Sequence, residues 1–265
     1  MKGARFWSWI TFLLGAAYFL LPLIATFEFS LRMRRGAYTW DAYAVVFADP
    51  NFQATFGYSA LIGLFTIIVG VIVVVPAAYY VRLKLPQLRP ILEFLTLMPL
   101  IVPPIILVFG YIRLYNSSSI LPFTGSALGT DLLLIFGYAT LSLPLMYRAV
   151  DTGLRAIDVG TISEAATILG ASQLTIITRI ILPNILIAIL SGAFLTFAIV
   201  MGEFVIASLL GRPAFGPYLQ LIGANRAYEP AALAIISFIL TWGAMGLIQL
   251  LSRFAPKTQP ARSEA

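Results

Sequence analysis

The feature that most constrains this chain is a series of long apolar runs without any charged residue. One run lies between Phe6 and Phe27, and another covers every residue from Pro50 to Val81. A helix needs about 20 apolar residues to cross the hydrocarbon core of a bilayer. We therefore predict an all-α, polytopic membrane protein with six transmembrane helices. The predicted spans cover residues 6–28, 57–81, 91–114, 131–151, 183–208 and 230–252.

The composition is that of a protein whose main solvent is lipid. Hydrophobic residues make up 60% of the 265 residues and charged residues only 11%, whereas a soluble domain carries roughly a quarter charged residues. The chain has no Cys and no His, which excludes disulfides, thiol chemistry and the commonest general base and zinc ligand. We predict no catalytic residue, no cofactor and no metal ion in this chain.

The distribution of Lys and Arg predicts the orientation. If both termini are cytoplasmic, the inside segments carry eleven of the 17 basic residues and the outside segments six, a bias typical of cytoplasmic loops. The same bias explains the net charge of +6 without a nucleic-acid partner. The cluster Arg32–Arg35 runs against it. Residues 1–254 are expected to form the membrane domain, and residues 255–265 a disordered cytoplasmic tail.

A segment at residues 161–183, between the fourth and fifth predicted spans, is neither a span nor an ordinary polar loop. Thr161 and Glu164 have the spacing of a capping box, so a helix is expected to begin there. Gly170 can adopt the left-handed conformation that ends a helix, and Ser172 is a good N-cap for a second helix. The segment is therefore predicted to form a helix–turn–helix elbow. Its expected apolar contact residues are Ile162, Ala165, Ala166, Ile168 and Leu169.

The residues Glu164-Ala165-Ala166, Gly170 and Ile180-x-Leu182-Pro183 resemble the EAA loop of bacterial ABC-importer permeases. The resemblance implies a type I importer permease (MetI-like) fold in the bacterial inner membrane. It also implies a second, homologous permease subunit, two ATP-binding subunits and an extracytoplasmic solute-binding protein. ATP and Mg²⁺ would bind the ATP-binding subunits, because this chain has no Gly-x4-Gly-Lys-Ser/Thr sequence. The residues implied in coupling to the ATPase are Glu164, Ala165, Ala166, Gly170, Ala171, Ser172 and Pro183.

Two features inside the predicted spans indicate a solute pathway. The third span contains Pro99, Pro103 and Pro104, and lost helix hydrogen bonds favour a helix beside a cavity, although a packed kink explains them equally well. Glu203 follows a long charge-free run, and an acid in a span usually faces a cavity or a partner. The alternative for Glu203 is an interfacial ion pair with Arg212 or with an Arg of the other subunit. The candidate pathway residues are Glu203, Phe204, Tyr111, Phe109, Pro103 and Pro104.

The sequences Leu169-Gly170-Ala171-Ser172 and Gly202-Glu203-Phe204-Val205-Ile206 are most similar to permeases of the polyamine (spermidine/putrescine) type. This likeness implies a small organic cation as the substrate, with ferric ion, thiamine, phosphonate and opine as alternatives. A secondary transporter would need paired intramembrane acids or an inverted repeat, and a channel would not need the elbow. We therefore expect a transport subunit and not an enzyme.

Overall fold

The structure is a computed structural model of the chain, and it describes residues 2–254. Within that range the chain is helical, and its only β pairing is an isolated bridge between Arg34 and Ala37. The predicted all-α class is therefore confirmed. The predicted tail at residues 255–265 lies outside the described residues.

Three single helices in the described range are long and apolar enough to cross a membrane. They are α1 (Lys2–Ser30), α3 (Pro50–Leu83) and α6 (Ala127–Arg155). Two further candidates are bent pairs: Pro86–Ile101 with Pro104–Leu114, at 98°, and Gln173–Asn184 with Leu186–Gly202, at 80°. If each pair is one span the count reaches five, and Glu229–Leu240 adds a shorter apolar helix. The predicted number of six is thus not fully confirmed.

The remaining elements are short, apart from the last helix. The bent pairs contain α4 (Arg89–Ile101), α5 (Pro104–Leu114), α8 (Gln173–Thr175), a π-helical turn (Ile176–Ile181), α9 (Leu182–Asn184) and α10 (Leu186–Gly202). The others are α2 (Asp41–Ala48), α7 (Val159–Ile168), α11 (Val205–Leu209), α12 (Phe215–Asn225) and α13 (Glu229–Phe254), with 3-10 turns at Pro86–Leu88 and Phe123–Gly125.

Two segments predicted as single spans are broken in the structure. The third predicted span breaks at Val102, whose ψ of 118° is extended, because a residue that precedes a proline avoids the helical region. The fifth breaks at Ile185, between α9 and α10, and again at Glu203, whose ψ is 128°. The helix is therefore not continuous over residues 91–114 or over residues 183–208, and each of these segments can still form one broken span.

The chain divides into two compact units. The first comprises residues 2–55 and residues 218–242. Its helix α1 has no buried residue in its most apolar window, so lipid is the natural environment of that surface. At the end of α1 the hydroxyl oxygens of Ser30 and Tyr43 lie 2.8 Å apart, in a hydrogen bond, and Ala42 and Val46 of α2 are buried.

The second unit comprises residues 56–217 with residues 243–254, and it contains two buried apolar clusters. One cluster joins α3, α6, α7, the π-helical turn and α10, and includes Tyr79, Met146, Leu154, Ile176 and Ile181. The other joins α3, α5, α6, α10 and α11, and includes Ile62, Val108, Leu134, Val200 and Ile206. The elbow is thus built into the core of this unit.

Small residues let α6 and α10 cross closely. A Cβ atom added at Gly153 would lie 2.6 Å from Cβ of Ala188, and one added at Gly192 would lie 3.2 Å from Cβ of Ala149. Small residues are typical of such helix contacts in membranes. Because α6 leads into the elbow and α10 leads out of it, this crossing fixes both of its ends.

Candidate functional site

The first helix of the elbow begins three residues earlier than predicted. The N-cap of α7 is Asp158, whose Oδ2 accepts a hydrogen bond from Oγ1 of Thr161 at 2.7 Å and whose Oδ1 accepts one from the Thr161 backbone N–H at 3.3 Å. The Thr161 hydroxyl bond, followed by the backbone bond, lowers the pKa of Asp158 below its usual value. The predicted capping box of Thr161 and Glu164 is wrong, because the Thr161 hydroxyl donates to Asp158 and Glu164 lies within the helix.

The end of α7 follows the prediction. Gly170 has a φ of +80°, its N–H donates to the carbonyl of Thr167 at 2.9 Å, and the N–H of Ala171 donates to the carbonyl of Ala166 at 3.0 Å. This pair of bonds is the Schellman motif, which satisfies the last carbonyls of a helix. Ser172 then caps α8 by accepting the N–H of Thr175 at 3.2 Å. The predicted roles of Gly170 and Ser172 in the turn are confirmed.

One face of the elbow is held in the core. Val159 and Ala166 are buried in the cluster that includes Ile176 and Ile181. The hydroxyl of Tyr79, on α3, donates to Oγ of Ser163 at 3.1 Å, and both side chains are buried. Ala166 therefore packs α7 against this cluster.

The opposite face of the elbow is open. Ile168, Leu169 and Leu174 are 87%, 86% and 72% exposed. Glu164 and Ala165 are also exposed, as are Ser172 and Pro183. Large apolar side chains grouped on a surface mark an interaction site, so this face is a candidate interaction surface.

A cleft of about 470 Å³ runs beside this face. Within residues 2–254, Oε1 of Gln173 is buried without a hydrogen-bond partner, and Glu164 has no ion pair or hydrogen bond. The cleft thus offers the exposed carboxylate of Glu164 as an acceptor to a visiting donor. Its lining residues are Tyr79, Leu83, Lys84, Gly160, Ser163, Glu164, Thr167, Ile168 and Gln173.

An ion-pair hub at Asp151, which was not predicted from the sequence, connects the elbow end of α6 to two other helices. A carboxylate oxygen of Asp151 lies 2.6 Å from Nη2 of Arg155, 3.9 Å from Nη2 of Arg89 and, through the other oxygen, 3.7 Å from Nη1 of Arg82. Arg89 also pairs with Glu93 at 2.9 Å. The i,i+4 spacing of Asp151 and Arg155 is the one signal that the sequence offered. The hub lies beside a cavity of about 380 Å³.

The carboxylate of Glu203 binds backbone N–H groups of its own chain. It is 9% exposed and accepts the N–H of Ile206 at 2.9 and 3.0 Å, and that of Ala207 at 3.3 Å. It therefore satisfies the first donors of α11 across the break in the fifth predicted span. The pair with Arg212, which was the alternative for Glu203, does not form within the described residues: Nη2 of Arg212 lies 2.7 Å from Oδ1 of Asp131.

Of the other candidate pathway residues, Phe204 is exposed at the break before α11, and the remaining four lie at or after the break between α4 and α5. Pro103 and Phe109 are exposed, and Pro104 begins α5. Tyr111 lines an apolar cavity of about 410 Å³. Val108 of α5 and Ile206 of α11 belong to one buried cluster, so the structure packs together the two short helices that follow the two breaks.

Comparison with solved structures defines the class of the fold. The chain is similar to that of a bacterial alginate ABC transporter in complex with an alginate pentasaccharide-bound periplasmic protein, with a TM-score of 0.72, 14% identity, and coverage of 97% of this chain and 98% of that one. It is also similar to the MetNI methionine ABC transporter in an inward-facing conformation, with a TM-score of 0.56, 19% identity, and coverage of 82% and 94%. The fold is that of ABC-importer permeases.

The sequence comparisons give the family. The family model "Binding-protein-dependent transport system inner membrane component" matches residues 74–254. The chain belongs to this family of ABC-transporter permease subunits, which places it in the membrane as a multi-pass protein.

Individual relatives are distant. The spermidine/putrescine permease PotC of Haemophilus influenzae is 27% identical over 251 residues, which cover 89% of this chain and 93% of that protein. The molybdenum permease ModB of Escherichia coli is 31% identical over 172 residues, covering 60% and 72%. A probable ABC transporter permease, y4fN of Sinorhizobium fredii, is 26% identical over 265 residues, and the match spans 45% of its length.

Proposed function

We propose that this chain is the permease that converts movement of a partner ATPase into the opening of a solute pathway, and that the elbow receives the force. The observation that carries the proposal is the two-sided character of α7. Ile168 and Leu169 are 87% and 86% exposed on one side, while Val159 and Ala166 are buried on the other. An ATPase that grips the exposed side moves the core directly.

The route of that movement follows the contacts of the elbow. Ile176 and Ile181 share a cluster with residues of α3, α6 and α10. Asp151 extends the connection to Arg89 at the start of α4. Binding of a partner can shift the elbow between two conformations only if the partner contacts those conformations differently. Closure of the ATPase on ATP supplies that difference in the proposed mechanism.

The proposed assembly contains a second, homologous permease, two ATP-binding subunits and an extracytoplasmic solute-binding protein. ATP and Mg²⁺ bind the ATP-binding subunits in this scheme. Both termini of the chain are cytoplasmic, because that orientation exposes the elbow on the side where ATP is available and agrees with the bias of Lys and Arg.

The proposed solute pathway runs beside the two helix breaks. Pro103, Pro104, Phe109 and Tyr111 belong to it on one side. Glu203 and Phe204 belong to it on the other, with Glu203 also fixing the start of α11. Backbone that leaves the helical conformation at membrane depth is tolerated where it lines a cavity or is buried in protein.

The proposed substrate is a small organic cation of the polyamine type. Its support is the likeness to permeases named for spermidine and putrescine, PotC and PotB of Haemophilus influenzae. The likeness to ModB supports a second candidate, a molybdenum oxyanion. Calorimetry on the cognate binding protein distinguishes them: tight binding of putrescine or spermidine supports the first candidate, and tight binding of molybdate alone refutes it.

The coupling role is tested by Leu169→Glu. We expect the variant to insert in the membrane, while ATPase co-purification and ATP-dependent uptake into proteoliposomes both fall at least tenfold. Ile120→Glu is the matched control, because Ile120 is 99% exposed on a different loop. Normal association and uptake in Leu169→Glu would point to a channel or an independent carrier.

The orientation of the chain in the membrane can be tested with single introduced cysteines, because the sequence itself has no Cys that must first be removed. A membrane-impermeant maleimide applied to whole cells should label Ser117→Cys and leave Ser172→Cys unlabelled until the membrane is opened. The opposite pattern would put the elbow on the outer side and exclude an ATPase partner there.

A further inference from the structure

A basic pocket lies at the end of α1, and neither the coupling mechanism nor the solute pathway uses it. The pocket has a volume of about 470 Å³. Its lining residues are Arg32, Arg34, Arg35, Gly36, Ala37, Tyr38 and Tyr228. These are the arginines that run against the expected charge bias of the loops.

The backbone of the pocket is a fixed turn. Gly36 has a φ of +80°, the N–H of Ala37 donates to the carbonyl of Arg34 at 3.3 Å, and the N–H of Thr39 closes the base by donating to the carbonyl of Leu31 at 2.8 Å. A fixed turn of this kind presents its arginines in one cluster, which favours the recognition of an anion.

The aromatic side chains of the pocket are also held in place. The ring of Tyr228 stacks on Phe29, with 4.9 Å between their centroids. The hydroxyl of Tyr38 donates to Oε1 of Glu28 at 2.8 Å.

The charges of the pocket do not balance. Arg32 pairs with Glu28 at 2.5 Å, and Arg34 pairs with Asp41. Within residues 2–254, Arg35 has no ion pair or hydrogen bond and is exposed. One guanidinium therefore remains free, beside two others, to bind an anion from outside the chain.

The pocket lies at the level of lipid headgroups. The apolar span of α1 ends at Ser30 and is unburied along its most apolar window, so it contacts lipid. Arg32 follows two residues later, about 3 Å further along a helix axis, and the headgroup layer is about 5–8 Å thick on each side of a bilayer. Tyr38 and Trp40 are 67% and 63% exposed beside it, as is typical of residues at a membrane interface.

From this arrangement we infer that the basic pocket binds the phosphodiester headgroup of an anionic membrane lipid, with Arg35 as the principal ligand. Arg suits phosphate because its planar guanidinium donates two parallel hydrogen bonds. Tyr228 lines the same pocket and can add a hydroxyl donor. The inference holds for either orientation of the chain, because both surfaces of a bilayer present phosphates.

Native mass spectrometry of the full-length chain tests this inference. The protein is purified in detergent with equal amounts of dioleoyl phosphatidylglycerol and dioleoyl phosphatidylcholine, and the retained lipid is measured. We expect wild type to retain phosphatidylglycerol preferentially, and Arg35→Gln to retain about fivefold less, which is the effect of one basic residue near a membrane surface. Arg35→Lys should retain an intermediate amount, because it keeps the charge and loses the planar fork.

Arg113→Gln is the matched control, because Arg113 is an exposed arginine at the end of another apolar helix. Equal losses in Arg35→Gln and Arg113→Gln would mean general charge attraction and would overturn the site. Displacement of the lipid by inorganic phosphate, at the ionic strength of a chloride control, would assign the pocket to a soluble anion. Unchanged lipid retention in Arg35→Gln, with loss of ATP hydrolysis stimulated by the binding protein in the assembled complex, would assign it to a protein partner.

Discussion

Gly216 packs directly against the carbonyl of Glu203. A Cβ atom added at Gly216 would lie 2.0 Å from the Glu203 carbonyl oxygen and 3.2 Å from the backbone nitrogen of Phe204. Because these are backbone atoms, no side-chain rotation can relieve the overlap. The start of α12 thus fixes the position at which the fifth predicted span is broken.

Gly216→Ala is therefore expected to destabilise the protein by about 1–3 kcal/mol, the usual cost of forcing extra atoms into a packed region. Thermal unfolding followed by fluorescence-detected gel filtration measures the effect. Gly223→Ala, in the same helix, is the control, because a Cβ there meets nothing within 4 Å. Equal melting temperatures for both variants would contradict the close approach.

Two substitutions at Glu203 separate its capping role from its charge. Glu203→Ala removes the acceptor of the Ile206 and Ala207 N–H groups, and buried donors left without a partner cost about 1–3 kcal/mol. Glu203→Gln keeps an acceptor oxygen, so its stability should stay near that of wild type. If the charge also serves the pathway, the Gln variant should lose uptake while it still folds. Normal uptake in Glu203→Gln would leave this residue with the capping role alone.

Asp151→Asn should weaken transport more than assembly. The carboxylate is only 16% exposed and faces Arg82, Arg89 and Arg155, so its loss removes the connection between α6 and the start of α4. We expect uptake to fall several-fold while the ATP-binding subunit still co-purifies. Glu93→Gln is the control, because Glu93 is 43% exposed and pairs with Arg89 alone within residues 2–254. An identical loss of uptake in both variants would show that the hub has no special role.

The cap of α7 predicts a pH dependence of stability. Bonds from Thr161 lower the pKa of Asp158 in the folded protein. The contribution of the ionised carboxylate is therefore fully present above the unfolded-state pKa and is lost as the pH falls through the lower folded-state value. Wild type should exceed Asp158→Ala in melting temperature by a constant amount from pH 5 to 8, and by less below pH 4. A difference that grows on acidification would contradict this cap.

Local signals in the sequence were sufficient for the turn of the elbow. Gly170 and Ser172 act through their own backbone and their nearest neighbours, so the local sequence alone predicts their roles in the turn. The start of α7 was not predicted correctly, because Thr161 and Glu164 match the spacing of a capping box whereas the observed N-cap is Asp158. Val159 is buried in the core, and that tertiary contact selects the earlier start.

Features that depend on distant partners were not predictable. The proline pair at Pro103 and Pro104 indicated the first helix break, but Gly202 and Glu203 contain no helix breaker of comparable strength. The second break depends on Gly216, which approaches only after folding. The ion pairs of Asp151 were not predictable for the same reason, since two of its three arginines lie more than 60 positions earlier in the chain.

The exposed pair Ile168 and Leu169 also has a consequence for a copy of the chain that has not yet assembled with other subunits. In the proposed orientation, such a copy holds two large apolar side chains in water, and they cannot turn inwards because the opposite face of the helix is already packed. Such a copy is therefore prone to non-specific association. When the chain is produced in excess, the unassembled copies should be degraded by quality-control proteases.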